Sequence, residues 1–569
     1  MGEMKKLWIP ILIGLGLLSL GAVTVGDQFV VRLLEWTGLS KGENFSMSSF
    51  SPAELCNFEI NRDGDQTYLV QRPGTHVITP IYTRDVLGLY ATTISQINGD
   101  SERVVIVDSK GKIQTCSGVS SGTKGNWFTV LGLGGESTYV AVQGSPYCSI
   151  LQFKDTILVT GGLDMNSSVP PQDSIFMLAM NSGKLKKVKS YVWHHGKILL
   201  HQDRIYGFGT VWSRIVDPSW TNLNYVKLTW MPEFDTRFDR VDTVLNGGFV
   251  YIGRNDGDYL TNVVPLGSNL IAYKTHSIWN VYVDPGTNAP SEVVKITDNV
   301  GAMSYDAVCS YNGIHYFISS DGVYSNDGTN VKRLSQPIDF WFRDSIAILS
   351  PGARGYVLQA VQNRLYVSLP VRSPSSKTTI NGARIFVYDM ITNNWWKMIP
   401  TGFNGSGMFL LRYNFSPLAS PGFANENGGP YHTPRLFIIG DSTTARVRLV
   451  VFPAENFRSD DGQKFTSVYT TSLNGFGEMW SRKQLDRATV FGSGVAACTA
   501  KVDWYGDANT IIDSSKFALT STPKAVTKRL PPTISGQMLK FRLRVDDTLA
   551  LKINALEIVG FQKGLANDQ

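Results

Sequence analysis

The chain has 569 residues, 43% of them hydrophobic and 18% charged, too many for one ordinary core and ample for folding without covalent staples. Its net charge of +6 is spread along the sequence, which argues against a dedicated basic tail for nucleic acid. The five cysteines, Cys56, Cys116, Cys148, Cys309 and Cys498, are odd in number and far apart without any Cys-x-x-Cys pair, so neither a disulfide framework nor a zinc site is signalled, and they read as small buried apolar residues.

The first element follows Lys5 and Lys6. The run LWIPILIGLGLLSLGAVTV, from Leu7 to Val25, carries no charge. It is long enough to span a bilayer and longer than a usual signal h-region, although Pro10 and the glycines weaken it as a helix. It reads as a membrane anchor, a secretory signal, or an apolar arm docking on a neighbouring subunit, and residues 1–44 are expected to stand outside the main fold.

From about Phe50 the pattern changes to strand, turn, strand, punctuated by 54 glycines and 25 prolines, as in folds of many short strands. A loose theme recurs: an Asn or Asp turn followed by short hydrophobic strands. It appears in DTILVTGG (Asp155 to Gly162), DRIYGFG (Asp203 to Gly209), SNLIAYKTHSIWNVYVD (Ser268 to Asp284), NGIHYFISSDGVYSNDG (Asn312 to Gly328) and NRLYVSLPV (Asn363 to Val371). The segment ARIFVYDMITNNWWKM, Ala383 to Met398, closes the series. Each reads as the inner hairpin of a propeller blade, because a small four-stranded sheet buries its faces only by stacking radially against its like. Within the last, Asp389, Asn393, Asn394, Trp395 and Trp396 resemble the blade-closing pattern of kelch-like propellers, with turn residues at positive φ and an aromatic ring between sheets. The fold class expected is all-β: a β-propeller-like domain over 45–462, with six to eight blades, followed by a C-terminal β-sandwich over 463–569. In the latter, Leu539, Phe541, Leu543 and Val545 fall on one strand face, and Lys540, Arg542 and Arg544 form a basic ridge on the other.

No His-Glu-x-x-His, Walker loop or kinase set occurs. No cofactor, metal ligand or catalytic residue is assigned, and a non-enzymatic role is expected. His194, His195 and His201 lie close in sequence, but an extended strand would hold His195 and His201 about 20 Å apart, too far to share an ion. Asp256 and Asp258, and likewise Asp321 and Asp327, sit beside glycines as a calcium loop would place them, and equally as ordinary hairpin turns do. Trp212, Trp220, Trp230, Trp279 and Tyr282 suit either sugar stacking or core packing. The ridge Lys540, Arg542, Arg544 and the cluster Lys184, Lys186, Lys187, Lys189 are the candidates for contact with phosphate backbone or with another subunit.

Two stretches carry a family resemblance. SSFSPAELCNFEINRDGDQTYLVQRPGTHVI, with Arg72, Pro73 and Gly74, and GRNDGDYLTNVVPLGSNLIAYKTHSIWNVYVD followed by YFISSDGVYSNDG resemble the tail hub, nozzle or packaged-DNA stabilisation proteins of short-tailed bacteriophages. ISGQMLKFRLRVDDTLALKINALEIVGF is similar to their closing sandwich strands, so the likeness covers most of residues 45–562. It implies a homo-oligomeric ring, commonly a hexamer, around the channel through which DNA leaves the capsid. It further implies portal or adaptor partners above, fibre or needle partners below, and passage of double-stranded DNA without sequence specificity, all in the virion tail. The apolar run Leu7 to Val25 departs from this pattern and fits a rival, a membrane-anchored or secreted bacterial propeller that binds a ligand.

Overall fold

The computed structural model describes strands between residues 23 and 563, most continuously over 52–77, 256–344, 376–399, 481–547 and 551–563. The chain divides into two compact units: Leu39–Gly42 with Arg72–Thr466, and Met1–Gly38 with Glu43–Gln71 and Ser467–Gln569.

Among the described residues the larger unit holds seven successive sets of four antiparallel strands, numbered here as blades; six are separate four-stranded sheets, and the sixth set belongs to a larger sheet. Blade 1 starts at Val86–Gln96, blade 2 at Tyr147–Phe153, blade 3 at Lys197–His201, blade 4 at Leu260–Leu266, blade 5 at Val308–Tyr311, blade 6 at Val357–Val361 and blade 7 at Phe409–Leu410. These first strands of successive blades lie side by side, so each sheet starts at the inside and meanders outward, as propeller blades do. Blade 7 is completed from the other end of the unit: its outermost strand is Gly74–Val77, hydrogen-bonded to Arg446–Ala454. That closure removes the seam a linear stack of sheets would leave. The sequence segments expected as inner hairpins hold second and later strands; in blades 3, 5 and 6 the innermost strand precedes the Asn or Asp turn.

Those turns follow from local chemistry. Gln202 and Asp203, Asn312 and Gly313, and Gln362 and Asn363 all have positive φ and join strands that pair across two-residue turns, the geometry that matches strand twist. Packing between blades then supplies the core. Tyr206, Phe208, Leu228 and Ile252 of blade 3 meet Leu260, Leu270, Val281 and Val283 of blade 4, while Ile271, Tyr273 and Ile278 meet Val308, Phe317 and Tyr324 of blade 5. Gly301 sits where a Cβ would lie 2.0 Å from the Lys274 carbonyl oxygen; only glycine lets Ala302 N–H reach that oxygen at 2.9 Å. Trp395 is buried and donates its indole N–H to the Leu334 carbonyl at the end of blade 5, so the closing aromatic of blade 6 packs between neighbouring sheets.

The smaller unit is the sandwich. One sheet carries Gln28–Leu33, Leu551–Lys563, Arg482–Gly494 and Lys524–Arg529 in that order, with Phe58–Asp63 and Gln66–Gln71 joined through Leu551–Lys563. In the other, Pro52–Cys56, Ser467–Thr471, Lys540–Val545, Cys498–Tyr505 and Ile511–Leu519 are neighbours in turn. Leu539, Phe541, Leu543 and Val545 are buried, as are Val502 and Trp504 on the neighbouring strand, as the alternation requires.

This division corrects the expected boundaries. Residues 45–71 belong with the sandwich, because Gln66–Gln71 pairs with Leu551–Lys563. Gln28–Leu33 is likewise no arm outside the fold but a sandwich strand, antiparallel to the last strand of the chain, with Phe29, Val31 and Leu33 buried. Of the apolar run, Leu7 to Ala22 lies outside the described residues, and Val23–Val25 pairs with Gln28–Leu33. Among the described residues no helix is long and apolar enough to cross a membrane.

Candidate functional site

The basic ridge is present on the outer face of the second sandwich sheet, but it does not stand alone. Lys540, Arg542 and Arg544 are partly exposed, and register sets a row across five strands: Glu54, Thr470, Arg542, Asp503 and Ser514 are successive cross-strand neighbours. The Arg542 guanidinium lies 3.5 Å from Glu54 and donates from Nε to Thr470 Oγ1 at 3.3 Å. Asp503 accepts from Ser514 Oγ at 2.5 Å and pairs with Lys501 at 3.1 Å. Arg544 pairs with Asp546 at 3.1 Å, and Lys540 donates to Asn509 Oδ1 at 2.6 Å while covering the Tyr505 ring. Partial burial, then the charge of Arg542, holds Lys540 below its ordinary amine range. The face is therefore a mixed ladder of charge rather than a bare cationic stripe.

Lys184, Lys186, Lys187 and Lys189 all fall in the outermost strand of blade 2, Lys184–Lys189, paired on one side with Ser174–Ala179. The structure thus assigns the two basic candidates to different units. His201 is buried at the end of the first strand of blade 3, its Nε2 2.9 Å from the Ser268 carbonyl at the blade 4 turn; His194 and His195 lie outside the described residues. Trp212 and Trp220 lie outside them too, whereas Trp230 and Trp279 pack on the core between blades 3 and 4, and Tyr282 is 39% exposed.

The acidic turns spend their carboxylates on the protein itself. Asp256 pairs with the fully buried Lys274 ammonium, which also donates to the Gly253 carbonyl. Asp258 accepts from the Thr275 and His276 amides at 3.0 Å each and from Ser277 Oγ at 3.1 Å, pinning the second hairpin turn of blade 4. Asp321 accepts from Tyr324 and faces Arg333. Asp327 accepts from the Thr329 and Asn330 amides, bonds that hold its carboxyl well below the usual range. Among the described residues no His, Cys, Asp and Glu side chains gather as a metal site. Cys56, Cys309 and Cys498 are buried and unbridged, and burial pushes the Cys498 thiol up.

Sequence reasoning missed a bracket where the chain enters the propeller unit. Arg72, buried completely, makes a two-pronged contact with buried Asp460, at 2.9 and 2.5 Å, and donates to the carbonyls of Pro73 and Ile399. Its guanidinium lies 3.9 Å from the Phe465 ring centroid. The Arg-Pro-Gly triplet was the available signal: an arginine directly before the strand that closes blade 7. A second missed group links blades 4 and 5. Buried His315 sets Nε2 2.9 Å from the Pro265 carbonyl and Nδ1 3.0 Å from Tyr273 Oη, which also accepts from Asn326 Nδ2 at 3.1 Å. These contacts fit a neutral imidazole protonated on Nε2.

No family model and no curated protein sequence matches the chain. Among solved structures it is similar to the AfRom2 CNH domain, with a TM-score of 0.37 and 9% identity over 67% of this chain and 99% of that one. It is also similar to the WD40 domain of Neurospora crassa Pan2, with a TM-score of 0.36 and 9% identity over 68% of this chain and 95% of that one. A third is BBS1N in complex with ARL6DN, with a TM-score of 0.35 and 9% identity over 68% of this chain and 97% of that one. The propeller assignment rests on the chain's own sheet order and closure.

Proposed function

We propose that this chain is a virion structural subunit of the tail hub or nozzle type found in short-tailed bacteriophages, acting mechanically rather than chemically. Copies would form a ring around the DNA exit channel, meet portal or adaptor and fibre or needle proteins, and let double-stranded DNA pass without reading its sequence. The observation that supports this best is the closed propeller, fastened by a fully buried Arg72–Asp460 pair at the Arg-Pro-Gly that carries part of the family resemblance. A conduit under internal DNA pressure needs a body that resists opening, and large interfaces between rigid subunits supply it. The modest net charge suits a wall along which a polyanion slides without sticking. Electron microscopy and light scattering of the recombinant protein, with antibody labelling of purified particles, test the reading. Rings and labelled tails are expected; a strict monomer absent from virions would overturn it.

A further inference from the structure

Propeller blades leave their outermost strands unpaired, and the described edges here are treated differently. In blade 4 the outer strand Ala289–Thr297 is interrupted by two register shifts, and its Lys295 pairs with Asp298; bulges and balanced charge blunt an edge against further pairing. In blade 5 the outer strand Val331–Arg333 ends in an arginine neutralised by Asp321 and Asp339.

Blade 3 has neither protection. Its outer strand, Gly248–Tyr251, pairs with Lys227–Trp230 in unbroken register, and among the described residues its other edge has no strand. One face is sealed, because Trp230 lies so close over Gly248 that a Cβ there would come within 2.5 Å of the indole. The other face displays Phe249, 53% exposed, 5.4 Å from Tyr251 in an edge-to-face pair. Two cations attend these rings: Lys227 Nζ at 4.3 Å from the Phe249 centroid and the Arg254 guanidinium at 5.6 Å from that of Tyr251. Among the described residues neither cation has a carboxylate partner; the nearby acids are committed elsewhere, Asp256 to Lys274 and Asp258 to the 275–277 turn. Burial holds Lys227 below its ordinary amine range, the state an incoming carboxylate would relieve.

We propose that the open edge of blade 3 is a docking site for an acidic, strand-forming segment of another protein, which adds to Gly248–Tyr251 and sets the carboxylates of one of its faces on Lys227 and Arg254, beside the Phe249 and Tyr251 rings. A polypeptide fits better than a nucleic acid because the edge offers backbone N–H and C=O groups that only another strand satisfies, while the rings and cations read alternate side chains. The inference goes beyond the ring reading and needs no particular stoichiometry.

The test is fluorescence anisotropy on the full chain with a labelled decapeptide of alternating glutamate and valine. Its controls are a lysine–valine counterpart, the acidic peptide N-methylated at alternate backbone amides, and an oligothymidylate. Expected are binding of the acidic peptide alone and a loss of about tenfold or more in Arg254→Glu, an exposed position whose variant is checked by circular dichroism. Phe249→Ser should weaken it too. Equal binding of the N-methylated or basic peptide, tighter binding of the oligonucleotide, no binding of the acidic peptide, or an unaffected Arg254→Glu would each overturn the proposal.

Discussion

In the propeller unit, Arg72 and Asp460 meet with 0% and 1% of their side chains exposed; in the sandwich, Arg542 and Glu54 meet at 3.5 Å with about a third of each in water. The same chemistry thus serves as a clamp in one place and as a solvated row in the other. Burial decides the difference, since two desolvated charges depend on each other while two wet ones fall back on solvent. Asp460→Ala should therefore cost about 3–5 kcal/mol in denaturant unfolding, by stranding a buried guanidinium. Replacing both partners with apolar residues of similar volume should recover most of that loss; a single variant costing under about 1 kcal/mol would erase the contrast.

The neutral network between blades 4 and 5 lies between these extremes. Tyr273→Phe removes the hydroxyl that bridges His315 and Asn326, and about 1–3 kcal/mol should go with it. His201 gives a smaller effect that depends on pH. Burial, only partly offset by the Ser268 carbonyl, holds its imidazole below the ordinary value of 6.5, so the unfolded chain takes up the proton first. Stability is complete above about pH 6.5 and declines as pH falls from there toward the lowered native value. Unfolding midpoints should fall across that window in the wild type and flatten in His201→Gln. Smallest is Arg542→Ala, at about 1 kcal/mol or less and further reduced by salt; a larger loss would place the sandwich row with the clamp.

What the sequence disclosed was local. Asn312-Gly313 announces a tight turn through its backbone freedom, and the alternation from Leu539 to Val545 announces a half-buried strand through side-chain period alone. What it concealed was distance. Arg72 and Asp460 lie 388 positions apart, and no local pattern says which carboxylate an arginine will find. The basic ridge was legible as a ridge, but Glu54 and Asp503, the acidic neighbours of Arg542, come from Pro52–Cys56 and Cys498–Tyr505, which only the register brings alongside. Gln28–Leu33 was misread for the same reason: its partner, Leu551–Lys563, is at the far end of the chain, and the apolar run just upstream dominated the reading.

The strand Gly74–Val77 leaves the ribosome long before Arg446–Ala454, the neighbour it needs. At about 5–20 residues per second, tens of seconds pass while that strand waits without its mate. The interval is an opening for chaperones, for premature pairing with a sister polypeptide, or for a protease. Maturation of this chain is thus timed by the arrival of its own C-terminal third.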